Sequence, residues 1–418
     1  MKTPIATPPE LLRPSAGRRR SLLRLGGLGL LGAGATPVSA DSIPDSWKTP
    51  GTGFSNYGQP SPQERETIRW MSANPAQAGE GVSWTPLHRM EGTITPNGLH
   101  FERHHNGVPA VDAAQWSLRL GGGTAGTLTF GLEDLRRYPL QSRITFIECG
   151  GNSNALWNPE PVQAAAGHLH GLLSGCEWTG VPLSRLLHEA GIGADRRWLI
   201  ADGLDASGVS VSLPLGKCLD DVLVALYQNG EALRPENGYP ARLVVPGWEG
   251  ILNVKWLRSL TLSSEPLWSR FDTVSYTDLH GDGVADRMTF TMGVKSLITA
   301  PSAGQQLAAA GVHEVRGLAW SGAGRIAGVE LSADGGRHWT AAILQEPVLD
   351  KALTRFRLPW HWDGRHCVLM SRATDETGAV QPRRQELLAA KGQNAYYHYN
   401  AICAWGVEAS GEVRHVHG

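Results

Sequence analysis

From about Ala300 onward the chain is written in short apolar runs that lie too close together for helices to fit between them. Val312 to Trp320, Ile326 to Ser332 and Trp339 to Leu344 follow one another with only glycine-rich turns between. That spacing predicts an antiparallel β-sandwich of the immunoglobulin-like kind, about 100 residues long. Asp334-Gly335-Gly336, between the second and third runs, predicts a hairpin. Upstream the texture is mixed. Trp198-Leu199-Ile200 and Leu243-Val244-Val245 read as strands and Leu183 to Ala190 as a helix, so Leu99 to about Ser264 predicts an α+β domain. The 51 glycines and 15 tryptophans among 418 residues point to a loop-rich globular fold rather than a helical bundle.

The first 40 residues predict an export signal rather than structure. Arg18-Arg19-Arg20-Ser21-Leu22-Leu23 precedes a modest Leu/Gly stretch that still contains Arg24, and Val38-Ser39-Ala40 forms a small-residue cleavage site before Asp41. The arginine pair points to the twin-arginine route, and the apolar run is too short and too polar for a membrane span. The predicted organisation is therefore a signal at 1–40, a domain with an N-terminal arm at 41–300, and a sandwich at 301–418. Within the arm, Ser61-Pro62 opens a predicted helix over Ser61 to Trp70.

A formal net charge of −1 supplies no basic field for nucleic acid. Five widely spaced cysteines, an odd number, leave at least one to stand free, ligate something or bond another chain. No Cys-x-x-Cys-His motif attaches a haem, and no paired Cys-x-x-Cys suggests zinc or an iron–sulfur cluster. His-Glu-x-x-His is absent too, which argues against a zinc hydrolase. Cys149 is the distinctive one: it closes the strand-like run Arg143 to Cys149 and meets Gly150-Gly151-Asn152 at once. Two readings stand on that segment alone, an inert core thiol or a soft sulfur donor to a metal at a turn where backbone approaches a ligand.

Other segments carry what an anionic cofactor needs. Arg103 stands beside His104 and His105 in Phe101 to Pro109, read as a loop. Arg242 opens an apolar strand within Asn237 to Gly247, and Lys255 follows in Asn253-Val254-Lys255-Trp256-Leu257. Arginine offers a fork of donors and lysine a point charge, a combination suited to a phosphate. On spacing alone each could equally be a solvated cation.

With these pieces in place, the chain from Asp41 to Gly418 resembles the sulfite oxidase family of molybdenum enzymes, and within it the sulfane dehydrogenase members of bacterial sulfur-oxidising systems. The motifs are Phe101 to Pro109, Glu148 to Ser153, Cys176 to Leu183, Asp202 to Asp205, Asn237 to Gly247, Asn253 to Leu257, and Tyr276 in Ser275 to Leu279. The resemblance implies one oxo-molybdenum centre held by Cys149 and one molybdopterin, with no haem in this chain. It assigns Arg103, His104, His105, Asp205, Asn237, Arg242, Asn253, Val254 and Lys255 to the cofactor. Tyr276 and Arg103 would stand by the reacting metal, and Trp178 would wall the pocket.

Two positions depart from the sulfite-using members: Asn237 stands where they have histidine, and Asn154 where they have arginine. A lost cation weakens the case for a free dianion and favours a bulkier sulfur substrate, such as a sulfane on a carrier-protein cysteine. The resemblance further implies a c-type cytochrome subunit as acceptor, a homodimer within a hetero-oligomer, and a periplasmic location. The rival expectations are a sulfite dehydrogenase of the same fold and a cofactor-free binding or assembly protein.

Overall fold

The computed structural model describes residues 56–280, 282–286 and 289–418. Met1–Gln59 separates as one unit and Pro60–Gly418 as a second. The predicted export signal lies outside the described residues.

The strand that leads to Cys149 runs Gln141–Glu148 and lies antiparallel to Leu173–Pro182 in a five-stranded sheet. Its first two residues are exposed and everything from Thr145 onward is buried. The strand therefore dives from the surface into the interior and delivers Cys149 at its buried end. Leu173–Pro182 pairs onward with Leu223–Gln228, which also takes Arg242–Val244. A second five-stranded sheet orders Gly126–Phe130, Leu118–Gly123, Leu257–Ser263, Trp198–Gly203 and Ser210–Pro214, and Leu257–Ser263 meets Leu118–Gly123 in parallel. The helix Leu183–Ala190 buries Leu183, Leu186, Leu187 and Ala190 in the core shared by these sheets. That i, i+3, i+4, i+7 face explains why the segment is helical, with each buried leucine contributing about 1.5–3 kcal/mol.

After the short hairpin Asp278–Leu279 with Ala285–Asp286, the chain enters two packed sheets. One orders Lys295–Ala300, Gly311–Trp320, Thr354–Trp362 and Ile343–Leu344. The other orders Thr340–Ala341, Ile326–Ser332, Cys367–Asp375, Ala404–Val407 and Val413–Val416. Lys295–Ala300, which ends at the predicted boundary, thus hydrogen-bonds into the sandwich. The sandwich core does not end at its own sheets, since Phe146, Leu156, Trp157 and Leu173 belong to the same buried cluster. Among the described residues no helix is long and apolar enough to cross a membrane.

Three local readings change. The helix expected over Ser61 to Trp70 reduces to a single 3-10 turn, Pro62–Glu64, and Trp70 already starts the strand Trp70–Ala73. The cap is present, with Ser61 Oγ accepting from the Gln63 N–H at 3.2 Å, but none of the turn's residues is buried, so no apolar face sustains further turns. Trp339 to Leu344 is not one strand: Thr340–Ala341 and Ile343–Leu344 pair into different sheets. The loop before it is longer than a tight hairpin and is organised by the Asp334 carboxylate, which accepts from the Arg337 and His338 amides at 3.0 Å each.

Candidate active site

Cys149 opens onto a cleft lined by residues from several separate segments of the chain. Four elements meet there. The strand Gln141–Glu148 ends in Cys149, whose N–H donates to Leu172 O at 3.0 Å and whose carbonyl accepts from the Asn152 N–H at 2.8 Å. A Cβ at Gly150 would overlap the Glu249 carboxylate, so the turn closes only with glycine. Burial pushes the Cys149 thiol up to about 11, aided by the Glu249 and Glu148 carboxylates, so a bare Cys149 holds its proton at neutral pH. A metal would remove it.

The second element corrects the loop reading of Phe101 to Pro109, because Glu102–His104 is a strand that pairs with Gly81–Trp84. Arg103 and His104 are carried on it, and His105 follows. Lys255 Nζ donates to His104 Nδ1 at 2.9 Å, so the other ring nitrogen carries the hydrogen and donates to Glu102 Oε2 at 2.6 Å. Burial lowers the His104 ring below the usual histidine range and brings His105 down to about 4, so both imidazoles are neutral at pH 7. Arg103 pairs with Glu80 at 3.2 Å.

The third element is Arg242–Val244 with the turn that follows. Arg242 is 4% exposed. Its guanidinium donates to Asn237 O at 2.9 Å and Asn253 O at 3.0 Å and lies 4.9 Å from the Trp178 ring. No carboxylate pairs with it among the described residues, and burial draws its pKa down to about 9. Lys255 is similar. Its ammonium donates to Glu236 O at 3.1 Å and Arg103 O at 3.3 Å, and burial, with the Arg242 charge, draws it well below the usual lysine range. Val254 is buried beside it, and Asn253 spends its side chain on the turn, accepting from the Val245 N–H at 2.8 Å and donating to Glu249 O at 3.1 Å. Asn237 donates its amide to Gln228 Oε1 at 2.9 Å.

The fourth wall brings Asp205 and Tyr276. Asp205 is buried, accepts from the Val209 N–H at 3.3 Å and is hydrogen-bonded by Ser207. Tyr276 follows a single wide turn, Phe271–Ser275, and is 8% exposed. Its ring centroid lies 5.1 Å from that of Tyr397. Burial, with the Cys149 and Glu249 charges, raises its phenol well above the usual tyrosine range, so it stays a donor.

Arg103, His104, His105, Cys149, Asp205, Asn237, Arg242, Asn253, Val254, Lys255 and Tyr276 all line this one cleft. Trp178 does not. It is fully buried behind Arg242 and His100, where its ring supports the guanidinium instead of walling the pocket. Asn154 opens the 3-10 turn Asn154–Trp157 and is also absent from the lining. Sequence reasoning missed His100, Ile147, Val209, Glu236 and Ile251, which also line the cleft, and Glu249, which is buried beside the Cys149 turn with His398 Nε2 3.5 Å away. Trp256 was within reach, because it directly follows Lys255 in the Asn253 to Leu257 motif. It adopts a left-handed backbone (φ 50) and donates its indole N–H to Pro235 O at 2.7 Å. All five cysteines are free, Cys367 and Cys403 included.

Two buried cations without carboxylate partners are costly by several kcal/mol each unless an anion joins them. Among the described residues no cluster of three or more His, Cys, Asp or Glu side chains could enclose a metal. One cysteine sulfur facing such a cleft therefore fits a metal whose remaining donors come from an anionic organic ligand, and the residues present fit molybdopterin.

The fold and site define a redox enzyme that carries a phosphate-tailed metal cofactor. Residues 105–271 match the family described as "Oxidoreductase molybdopterin binding domain" and residues 286–404 the family described as "Mo-co oxidoreductase dimerisation domain". Chicken (Gallus gallus) sulfite oxidase is 32% identical over 317 residues, 69% of this chain and 68% of that protein. Mouse (Mus musculus) mitochondrial sulfite oxidase is 29% identical over 70% of this chain, which spans 58% of that protein's length. The solved structure titled sulfane dehydrogenase SoxCD from Paracoccus pantotrophus is 42% identical, with a TM-score of 0.88, covering 92% of this chain and 100% of that one. The chain belongs to the sulfite oxidase family of molybdenum oxidoreductases.

Proposed function

We propose that this chain is the molybdenum subunit of a periplasmic sulfane dehydrogenase. In this reading it oxidises a sulfane sulfur held on a carrier-protein cysteine and passes the electrons to a separate c-type cytochrome. Cys149 is the metal ligand, Arg242 and Lys255 hold the cofactor's phosphate, and the chain pairs with itself through its C-terminal sheets. The observation that carries the reading is the single cysteine facing a cleft in which Arg242 and Lys255 lie buried without a carboxylate partner.

When bound, the molybdenum centre supplies a two-electron sink and transfer of an oxygen atom drawn from water. The chain's own residues prepare the site. Phe101, Ile147, Val254 and Trp256 give the cleft an apolar wall that would exclude bulk water from a bound cofactor. Tyr276 keeps its phenolic proton at the cleft wall and would serve there as a hydrogen-bond donor. With Arg242 and Lys255 assigned to the cofactor's phosphate, the remaining lining arginine, Arg103, is already paired with the Glu80 carboxylate, so little free positive charge is left to attract a free dianion. That balance, and the likeness to a sulfane dehydrogenase structure over the whole of its chain, favour a protein-bound sulfur.

The test compares free sulfite with a persulfidated carrier protein as electron donor, using one c-type cytochrome as acceptor, after metal and pterin analysis of the exported protein. Reduction of the cytochrome by the carrier alone is expected. Turnover of sulfite alone would make the chain a sulfite dehydrogenase, and absence of molybdenum would make it a binding protein.

A further inference from the structure

Behind the metal-ligand turn, on the face of the strand opposite Cys149, the Glu148 carboxylate is 2% exposed and hydrogen-bonded at both oxygens. Glu148 Oε1 accepts from Lys295 Nζ at 3.2 Å and Asn152 Nδ2 at 2.9 Å, and Oε2 accepts from the Trp320 indole N–H at 2.6 Å. Lys295 and Trp320 belong to the C-terminal sheets. Lys295 Nζ also donates to Ser153 Oγ at 2.7 Å, which leaves the Ser153 hydroxyl hydrogen for His170 Nδ1, also 2.7 Å away. Ser153 is held in a left-handed conformation (φ 67). A third C-terminal contact reaches the turn itself: the His398 N–H donates to the Gly150 carbonyl at 2.8 Å. Residues on either side of Cys149 are thus fixed by groups more than a hundred positions away in the chain.

We infer that the C-terminal sheets, beyond any part in dimerisation, set the position of the metal ligand, with Lys295 and Trp320 as positioning residues acting on Cys149 through Glu148 and Ser153. The chemistry is that of a clamp. A carboxylate fixed by two foreign donors and one local one cannot rotate, so the peptide that follows it cannot tilt the sulfur. The inference rests on Cys149 being the metal ligand and is indifferent to which sulfur compound is oxidised.

The experiment uses the full chain in two states, with Lys295→Met and Trp320→Phe as variants. In cofactor-free protein, the rate at which iodoacetamide alkylates Cys149 is read by peptide mass spectrometry, well below the melting temperature. In loaded protein, the paramagnetic resonance of the half-reduced metal is recorded beside kcat and KM. The expected result is alkylation at least tenfold faster, shifted resonance g-values, and a lower kcat at unchanged KM, with Trp320→Phe showing the same changes in smaller measure. A lowered melting temperature with unchanged alkylation and unchanged g-values would overturn the inference and leave a plain structural ion pair. If Lys295→Met does not fold, Trp320→Phe decides alone, since it removes one donor and keeps the charge pair. Cys149→Ser separates the two failures: if its resonance equals that of wild type, the ligand assignment is wrong, and the clamp falls with it.

Discussion

The two sides of the turn at 148–153 are finished in opposite ways. On the rear, Glu148, Asn152, Ser153 and Lys295 satisfy one another within the protein. On the cleft side, Arg242 and Lys255 are buried against backbone carbonyls with no carboxylate to neutralise them. Both regions are buried and charged, yet only the rear is electrically complete without a visitor. Incomplete burial of charge is costly, so it persists where something else supplies the missing anion; complete burial marks scaffold.

The sharpest break of this contrast is Cys149→Ser. It should abolish activity, by on the order of 10³-fold or more, with disturbed metal content and an unchanged far-ultraviolet dichroism spectrum, as checked by metal analysis and steady-state assay. Next is Lys295→Met, which leaves a buried carboxylate without its cation. We expect a loss of about 3–5 kcal/mol in denaturant unfolding, with or without cofactor. Gly150→Ala forces a Cβ onto the Glu249 carboxylate and should cost about 1–3 kcal/mol while displacing the Cys149 turn, checked by the same unfolding curves and by metal content.

Arg242→Met should separate the two sides cleanly. The cofactor-free chain is expected to change by less than about 1 kcal/mol, because relief of a buried charge offsets the lost carbonyl bonds, whereas the loaded chain loses a further 1.5–3 kcal/mol or about 10- to 100-fold in cofactor retention. Equal losses in both states would erase the distinction between the cleft and the rear. The smallest effect is at Glu102. Burial alone would raise its carboxyl, but the His104 hydrogen bond and the Arg69 charge outweigh it and hold the group at about 2. A folded pKa below the unfolded value of about 4.3 adds stability above that pH and loses it as pH falls through 2. The stability gap between wild type and Glu102→Gln should therefore shrink across that window.

How far the site was legible depended on the range of each interaction. The strand ending in Cys149, the helix Leu183–Ala190 and the strand Ile326–Ser332 are specified by local alternation or periodicity, and the structure has them in those places. The helix expected after Ser61 shows the converse, since a capping residue nucleates a turn but cannot extend it without a face to bury. Trp178 was misplaced because a tryptophan in a motif looks the same from sequence whether it faces a ligand or supports the arginine that does. Glu249 carried no signal either, for its neighbours at Gly150 and His398 come from distant parts of the chain.

The order of residues by itself determined the turn at Cys149, the cationic segments around it and the change to sandwich texture, because each depends on side chains within a few positions of one another. Tertiary structure alone decided which cations would lie buried without a carboxylate and what would hold the turn from behind. Lys295 and Trp320 reach Glu148 across 147 and 172 positions. A contact that long is chosen by how sheets pack and which polar groups must then be satisfied away from water, and no local pattern records it.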